Sequence, residues 1–106
     1  MINTLKRLFS SKPKADLAAL AKDGAVILDV RSSSEYTGGH IRGSINIPVN
    51  KLPENLHKLK DKNKPIITCC ASGMRSASAK SILQSKGFSS VHNGGGWTSL
   101  QSKLQS

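Results

Sequence analysis

The chain of 106 residues has room for one domain with one core, and two adjacent cysteines are no disulfide framework for a secreted scaffold. Sixteen Lys and Arg against six Asp and Glu give a formal net charge of +10, which favours anionic ligands and partners. Only four residues are aromatic, and none is interleaved with the lysines as a stacking platform, so nucleic acid is not an expected partner.

Residues 1–13 read as a basic amphipathic N-terminal segment. Ile2, Leu5, Leu8 and Phe9 recur at roughly helical spacing among Lys6, Arg7 and Lys12, and Pro13 ends the segment. No apolar run approaches the ~20 residues of a membrane span or the ~7–15 of a signal-peptide core. A terminal helix packed on the domain is a simpler reading than a membrane-surface helix, and membrane contact is not expected.

The domain proper is residues 14–106. Lys14 to Asp23 predicts a helix with Leu17, Leu20 and Ala21 inward and Gly24 as its stop. Ala25 to Val30 is a near-continuous apolar run, the signature of a buried parallel strand, and Asp29 falls at its carboxyl end, the edge where α/β sheets bind ligands. Ser32 to Tyr36 predicts a short helix, Gly38-Gly39 a turn, and Ser44 to Ile47 a short strand stopped by Pro48. Asn50 is placed to cap a helix carrying Leu52, Leu56 and Leu59, with Pro53 tolerated in its first turn. Lys58, Lys60, Lys62 and Lys64 with Asp61 read as a solvated helix end.

The stretch from Lys64 to Ser76 is the most informative. Pro65 and Ile66-Ile67 start a buried strand that Cys70 closes. Ala71 to Arg75 make a small-residue turn with one glycine, and Ser76 opens a helix with Ala79, Ile82 and Leu83 on one face and Gly87 as its stop. A strand, a tight turn and a helix N-terminus gather backbone N–H groups into an anion cradle. A cysteine at the bottom of that cradle is expected to have its pKa lowered from ~8.5 toward neutrality by the N–H groups, the helix end and Arg75. The setting reinforces this, because Asp61 is the last carboxylate and five Lys and one Arg follow it. Beyond the helix, Ser89 to Asn93 is a weak strand, Gly94-Gly95-Gly96 a bend, and Trp97 to Leu104 a closing helix.

Cys69 and Cys70 are neighbours in a strand, so their side chains point to opposite faces. Their Cα atoms, ~3.8 Å apart, are too close for a relaxed disulfide. Both are expected reduced, which suits a cytoplasmic location. His40, His57 and His92 are scattered, no metal-ligand set is evident, and no cofactor is expected.

Taken together, Asp29-Val30-Arg31, Glu35-Tyr36, Gly39-His40-Ile41, Gly43-Ser44-Ile45-Asn46-Ile47-Pro48, Cys70-x-x-Gly73-x-Arg75-Ser76 and Asn93-Gly94-Gly95-Gly96-Trp97 stand in the order and spacing of a single-domain rhodanese. The resemblance covers about residues 14 to 100. It implies an α/β fold, a five-stranded parallel sheet flanked by helices, with the cysteine loop at its carboxyl edge. It also implies sulfurtransferase activity of the thiosulfate type. Cys70 would be the nucleophile that carries a persulfide, and Ala71, Ser72, Gly73, Met74, Arg75 and Ser76 the residues that bind the donor. Expected partners are a small anionic sulfur donor and a thiol or cyanide acceptor, with an acidic sulfur-relay protein as a further candidate. Ala71 stands where the family often has a basic residue, which makes thiosulfate a poorer expected donor. Asp29, Arg31 and Glu35 read as a structural ion-pair set, and His40 as structural.

Two other functions compete. A non-turnover persulfide carrier or partner-binding module would have the same loop. A cysteine phosphatase or arsenate reductase places five residues between Cys and Arg. Cys70 and Arg75 enclose four, whereas Cys69 and Arg75 enclose five. Gly73 is in register with Cys70, and Asp29 is the only carboxylate placed to serve as a leaving-group acid.

Overall fold

The computed structural model describes residues 16–105; the N-terminal segment at 1–13 lies outside them. Helix α1 (Leu17–Lys22) starts at Asp16, whose carboxylate accepts the Ala19 N–H at 3.1 Å. Strand β1 (Val26–Asp29) follows, then α2 (Ser33–Thr37), capped by Ser32 and Glu35 in a reciprocal capping box. Strand β2 (Ile45–Asn46) is short and leads into two 3₁₀ turns, Val49–Glu54 and Leu56–Lys58. Strand β3 (Ile66–Cys70), helix α3 (Met74–Ser85), strand β4 (Val91–Gly96) and helix α4 (Trp97–Gln105) complete the order.

All strand pairs are parallel, in the order β2-β1-β3-β4. The α/β class and the flanking helices are as expected, but the sheet has four strands among the described residues rather than five. The sequence itself supplied only four strand-like runs. The longest described stretches outside helices and strands, residues 38–44 and 59–65, are made mostly of glycine, lysine and turn residues, so neither holds an apolar run to add a fifth. Asn50 does not cap an α-helix: that segment is 3₁₀, beginning after Pro48 with no side-chain cap. Pro53 offers no N–H to an α-helical ladder. The glycine triplet also differs from the expected bend, because it continues β4. Gly94 has to be glycine there. A Cβ on it would sit 2.8 Å from both Ile67 Cγ2 and the Thr68 carbonyl oxygen and 2.9 Å from Leu100 Cδ2.

Alternation along β3 builds two cores on the two sheet faces. Ile66 and Cys70 join Leu28, Val30, Ile47, Ala79 and Leu83 beneath α3 and the 3₁₀ turns. Ile67 and Cys69 join Ile41 and Leu100, with Leu17, Leu20 and Trp97 packed around them from α1 and α4. No helix among the described residues is long and apolar enough to cross a membrane.

Candidate active site

The carboxyl ends of β1, β2 and β3 lie side by side, since Asp29 pairs with Asn46 on one side and with Cys69 on the other. The loops leaving those ends therefore share one edge. The Cys70 loop turns sharply through Gly73, whose φ of +106° is a left-handed conformation that L side chains rarely adopt. The turn aims the start of α3 at the sulfur. The helix begins at Met74, two residues before Ser76, so Ser76 lies in its first turn instead of opening it.

The Gly73 N–H points to Cys70 Sγ at 2.9 Å and the Ser76 N–H at 3.4 Å. The Ser76 hydroxyl stands 3.6 Å from Sγ. Burial opposes ionisation of Cys70. The Ser76 hydroxyl, once its proton turns from Asn93 to the ionised sulfur, and the backbone N–H groups of Ser76, Gly73 and Ser72 outweigh it, and the thiol pKa is lowered from its ordinary value. Met74 and Arg75, also in the first turn, have N–H groups with no intrahelical acceptor.

Residues behind the loop fix this geometry. The Ser76 hydroxyl donates to Asn93 Oδ1 at 2.6 Å, and that oxygen also accepts the Gly95 N–H at 2.9 Å. Thr68 donates its hydroxyl to the Ser76 carbonyl at 2.9 Å. Asn93 was not singled out from the sequence as a site residue. It reaches the loop because β3 and β4 pair Thr68 with Asn93, a register no linear pattern displays.

Arg75 is placed differently from the expected point of charge inside the cradle. Its guanidinium grips Glu35 through Nη1 to Oε1 at 2.8 Å and Nη2 to Oε2 at 3.1 Å. The Arg75 hydrogen bonds, with the Ser32 backbone and hydroxyl, hold the Glu35 carboxyl down at about 2. Glu35 is therefore not a side-chain partner of Asp29 and Arg31. Those two form their own buried pair, Arg31 Nη2 to Asp29 Oδ2 at 2.7 Å, with Nε also donating to Asp29 at 2.9 Å. Arg31 further donates to the Gly39 carbonyl at 2.7 Å and lies 4.7 Å from the Trp97 ring centroid. A carboxylate so occupied supplies no leaving-group acid. Ala71, Ser72 and Met74 are exposed at the rim, and Met74 is the one large apolar side chain left exposed among the described residues.

His40 stacks on Tyr36 with centroids 3.8 Å apart and its Nδ1 lies 2.7 Å from the Tyr36 carbonyl oxygen, a structural contact. Among the described residues no three His, Cys, Asp or Glu side chains gather in a way that could hold a metal ion.

The profile of the family described as "Rhodanese-like domain" matches residues 13–103. The chain is 37% identical over 70 residues to the thiosulfate sulfurtransferase PspE of Escherichia coli (strain K12), covering 65% of this chain and 67% of that one. It is 34% identical over 87 residues to the tRNA uridine(34) hydroxylase of Onion yellows phytoplasma (strain OY-M), covering 76% of this chain but only 28% of that protein. Among solved structures, a rhodanese with anions from E. coli superposes with a TM-score of 0.67 at 34% identity, over 71% of this chain and 89% of the other.

Proposed function

The chain belongs to the rhodanese-like domain family, and from that premise we propose that it is a sulfurtransferase carrying sulfane sulfur as a persulfide on Cys70. The observation that carries the reading is the Cys70 sulfur held by the Gly73 and Ser76 N–H groups at 2.9 and 3.4 Å. The family includes a relative named as a hydroxylase, in which the matching region is a minor part of a longer chain. The reaction is therefore read from the site.

The thiolate attacks the outer sulfur of an anionic donor. A bond forms between Sγ and that sulfur, the donor's own bond to it breaks, and sulfite or a thiolate leaves with the electron pair. The persulfide keeps a negative charge one atom further out, where the first-turn N–H groups of Met74 and Arg75 are available to it. A thiol or cyanide acceptor then removes the outer sulfur and regenerates the thiolate. The loop of Ala71, Ser72, Gly73, Met74, Arg75 and Ser76 meets the donor through its backbone N–H groups, while the Arg75 side chain stays on Glu35. Cys70 has no exposed surface, so loading requires the loop rim to yield to the donor. The two unpaired thiols suit a reducing cytoplasmic compartment. The excess of positive charge suits a small anionic donor or an acidic sulfur-relay protein.

Intact-protein mass spectrometry after incubation with thiosulfate, 3-mercaptopyruvate or a cysteine-desulfurase system tests the proposal. The expected result is a gain of one sulfur atom, mapped to the peptide bearing Cys70 and removed by cyanide. No gain with any donor, or a gain mapped to Cys69, overturns it.

A further inference from the structure

The ion pair between Glu35 and Arg75 carries an inference about which donors reach Cys70. Arg75 is the sole cation in the loop from Ala71 to Ser76, and both ends of its guanidinium fork are taken by one carboxylate. Position 71, next to the nucleophile, holds Ala and adds no charge. An arriving anion therefore meets the backbone N–H groups around Sγ and a cation already neutralised. The pair is open to solvent, with side chains 39% and 38% exposed. Arg75 also lines, with Lys51 and Ser33, an open cleft of about 280 Å³, so small ions can reach it.

We propose that Glu35 is a specificity-determining residue for the donor: by neutralising Arg75 it holds down loading from small inorganic dianions and favours singly charged donors such as organic persulfides and thiosulfonates. The proposal rests on the sulfurtransferase reading above. The transfer is the same for each donor. The Cys70 thiolate bonds to the outer sulfur, and sulfite, sulfinate or thiolate departs with the electron pair of the broken bond.

Electrostatic energy scales with charge, so removing the Glu35 charge acts on a dianion about twice as strongly, in logarithmic terms, as on a monoanion. Thiosulfate and methanethiosulfonate differ in one group, an oxygen for a methyl, and in one unit of charge. Glu35→Gln keeps an oxygen to accept the Ser32 N–H at the cap. It is expected to raise kcat/KM about tenfold for thiosulfate and about threefold for methanethiosulfonate, so their ratio rises about threefold. Added salt should shrink both gains.

Three further variants separate charge from structure. Glu35→Asp, which keeps the charge, should hold the wild-type ratio. Ser32→Ala, which removes the cap hydroxyl and leaves the ion pair, should also hold it. The double variant Glu35→Gln/Arg75→Gln removes both charges and should again give the wild-type ratio. If Arg75 instead binds donors directly, the double variant lowers that ratio. Equal gains for the two donors, a loss with Glu35→Gln, a gain reproduced by Ser32→Ala, or a lowered ratio in the double variant overturns the role of Glu35. Failure of both donors to add sulfur to any of the proteins overturns the sulfurtransferase reading and this proposal with it.

Discussion

Cys69 and Cys70 are consecutive residues of one strand, both free and both without exposed surface, yet the fold gives them opposite chemistry. Cys69 turns into the apolar cluster of Ile41, Ile67 and Leu100. Burial there, with the Asp29 charge as a smaller contribution, pushes its thiol up to about 12. Cys70 is buried on the other face and would suffer the same penalty, but the Gly73 turn and the start of α3 bring N–H groups to its sulfur and reverse the sign. Burial alone therefore decides nothing about a thiol's reactivity. What matters is whether the strand ends into a cradle on the side the sulfur faces, and one residue of pleat is enough to separate the two outcomes.

The sharpest way to break this comparison is to remove each thiol in turn. Cys70→Ser should lower sulfur transfer by about 10³-fold or more and abolish alkylation by iodoacetamide at neutral pH, since the thiol whose pKa is lowered is lost. Cys69→Ala should keep most of the activity and cost about 1–2 kcal/mol of stability through the small cavity it leaves. Activity lost with Cys69→Ala and kept with Cys70→Ser would invert the assignment, and would revive the spacing of five residues between Cys69 and Arg75.

The Cys70 side of this contrast was readable in the sequence because its parts are contiguous. Pro65 to Ser76 contains the strand, the turn glycine and the helix start in a row, and each has a local signature. The opposed faces of the two thiols likewise follow from the period of two. Contacts across the chain were not readable. Glu35 stands 40 positions from Arg75, and the spacing near Asp29 and Arg31 suggested a local set that the fold divides. Asn93 sits in a weak strand whose value depends on its register with Thr68. The glycine triplet looked like a bend because glycine is a poor strand former. Gly94 is a strand residue for a reason only packing reveals, the absence of room for a Cβ between Ile67 and Leu100.

A smaller effect asks what lowers the Cys70 pKa. Gly73 has room for a side chain, since a Cβ there would come no nearer than 3.5 Å to Gly95 Cα. Its φ of +106° is the obstacle. Gly73→Val must therefore distort the turn that delivers the 2.9 Å N–H contact to the sulfur. Arg75→Met removes a cation that Glu35 already neutralises. The Cys70 pKa, followed by thiolate absorbance in a Cys69→Ala background, should rise by about one unit or more with Gly73→Val and by less with Arg75→Met. A larger rise with Arg75→Met would make the site one that works through a single cation, with the cradle secondary.

The smallest effect is on stability, and it separates the two thiols by sign. A Cys69 whose pKa is raised keeps its proton in the folded state. The unfolded chain, with an ordinary thiol near 9, gives it up. Above that pH the unfolded state binds fewer protons, so Cys69 lowers stability as pH rises, by about 1 kcal/mol at pH ~10 and more beyond it. Cys70 works the other way. Its folded pKa is lowered, so between that value and about 9 the unfolded state binds more protons. Its contribution to stability grows with pH through that window, is constant above it, and is lost as pH falls through the folded pKa. Urea unfolding of the wild type, Cys69→Ala and Cys70→Ala at a series of pH values from neutral to about 10 isolates each contribution by difference. The wild type should lose stability relative to Cys69→Ala above pH ~9, and gain it relative to Cys70→Ala as pH rises toward that point. Parallel curves for the wild type and Cys69→Ala would mean that the buried thiol ionises in place, and that the strand's second face is wetter than the packing around Ile67 and Leu100 allows.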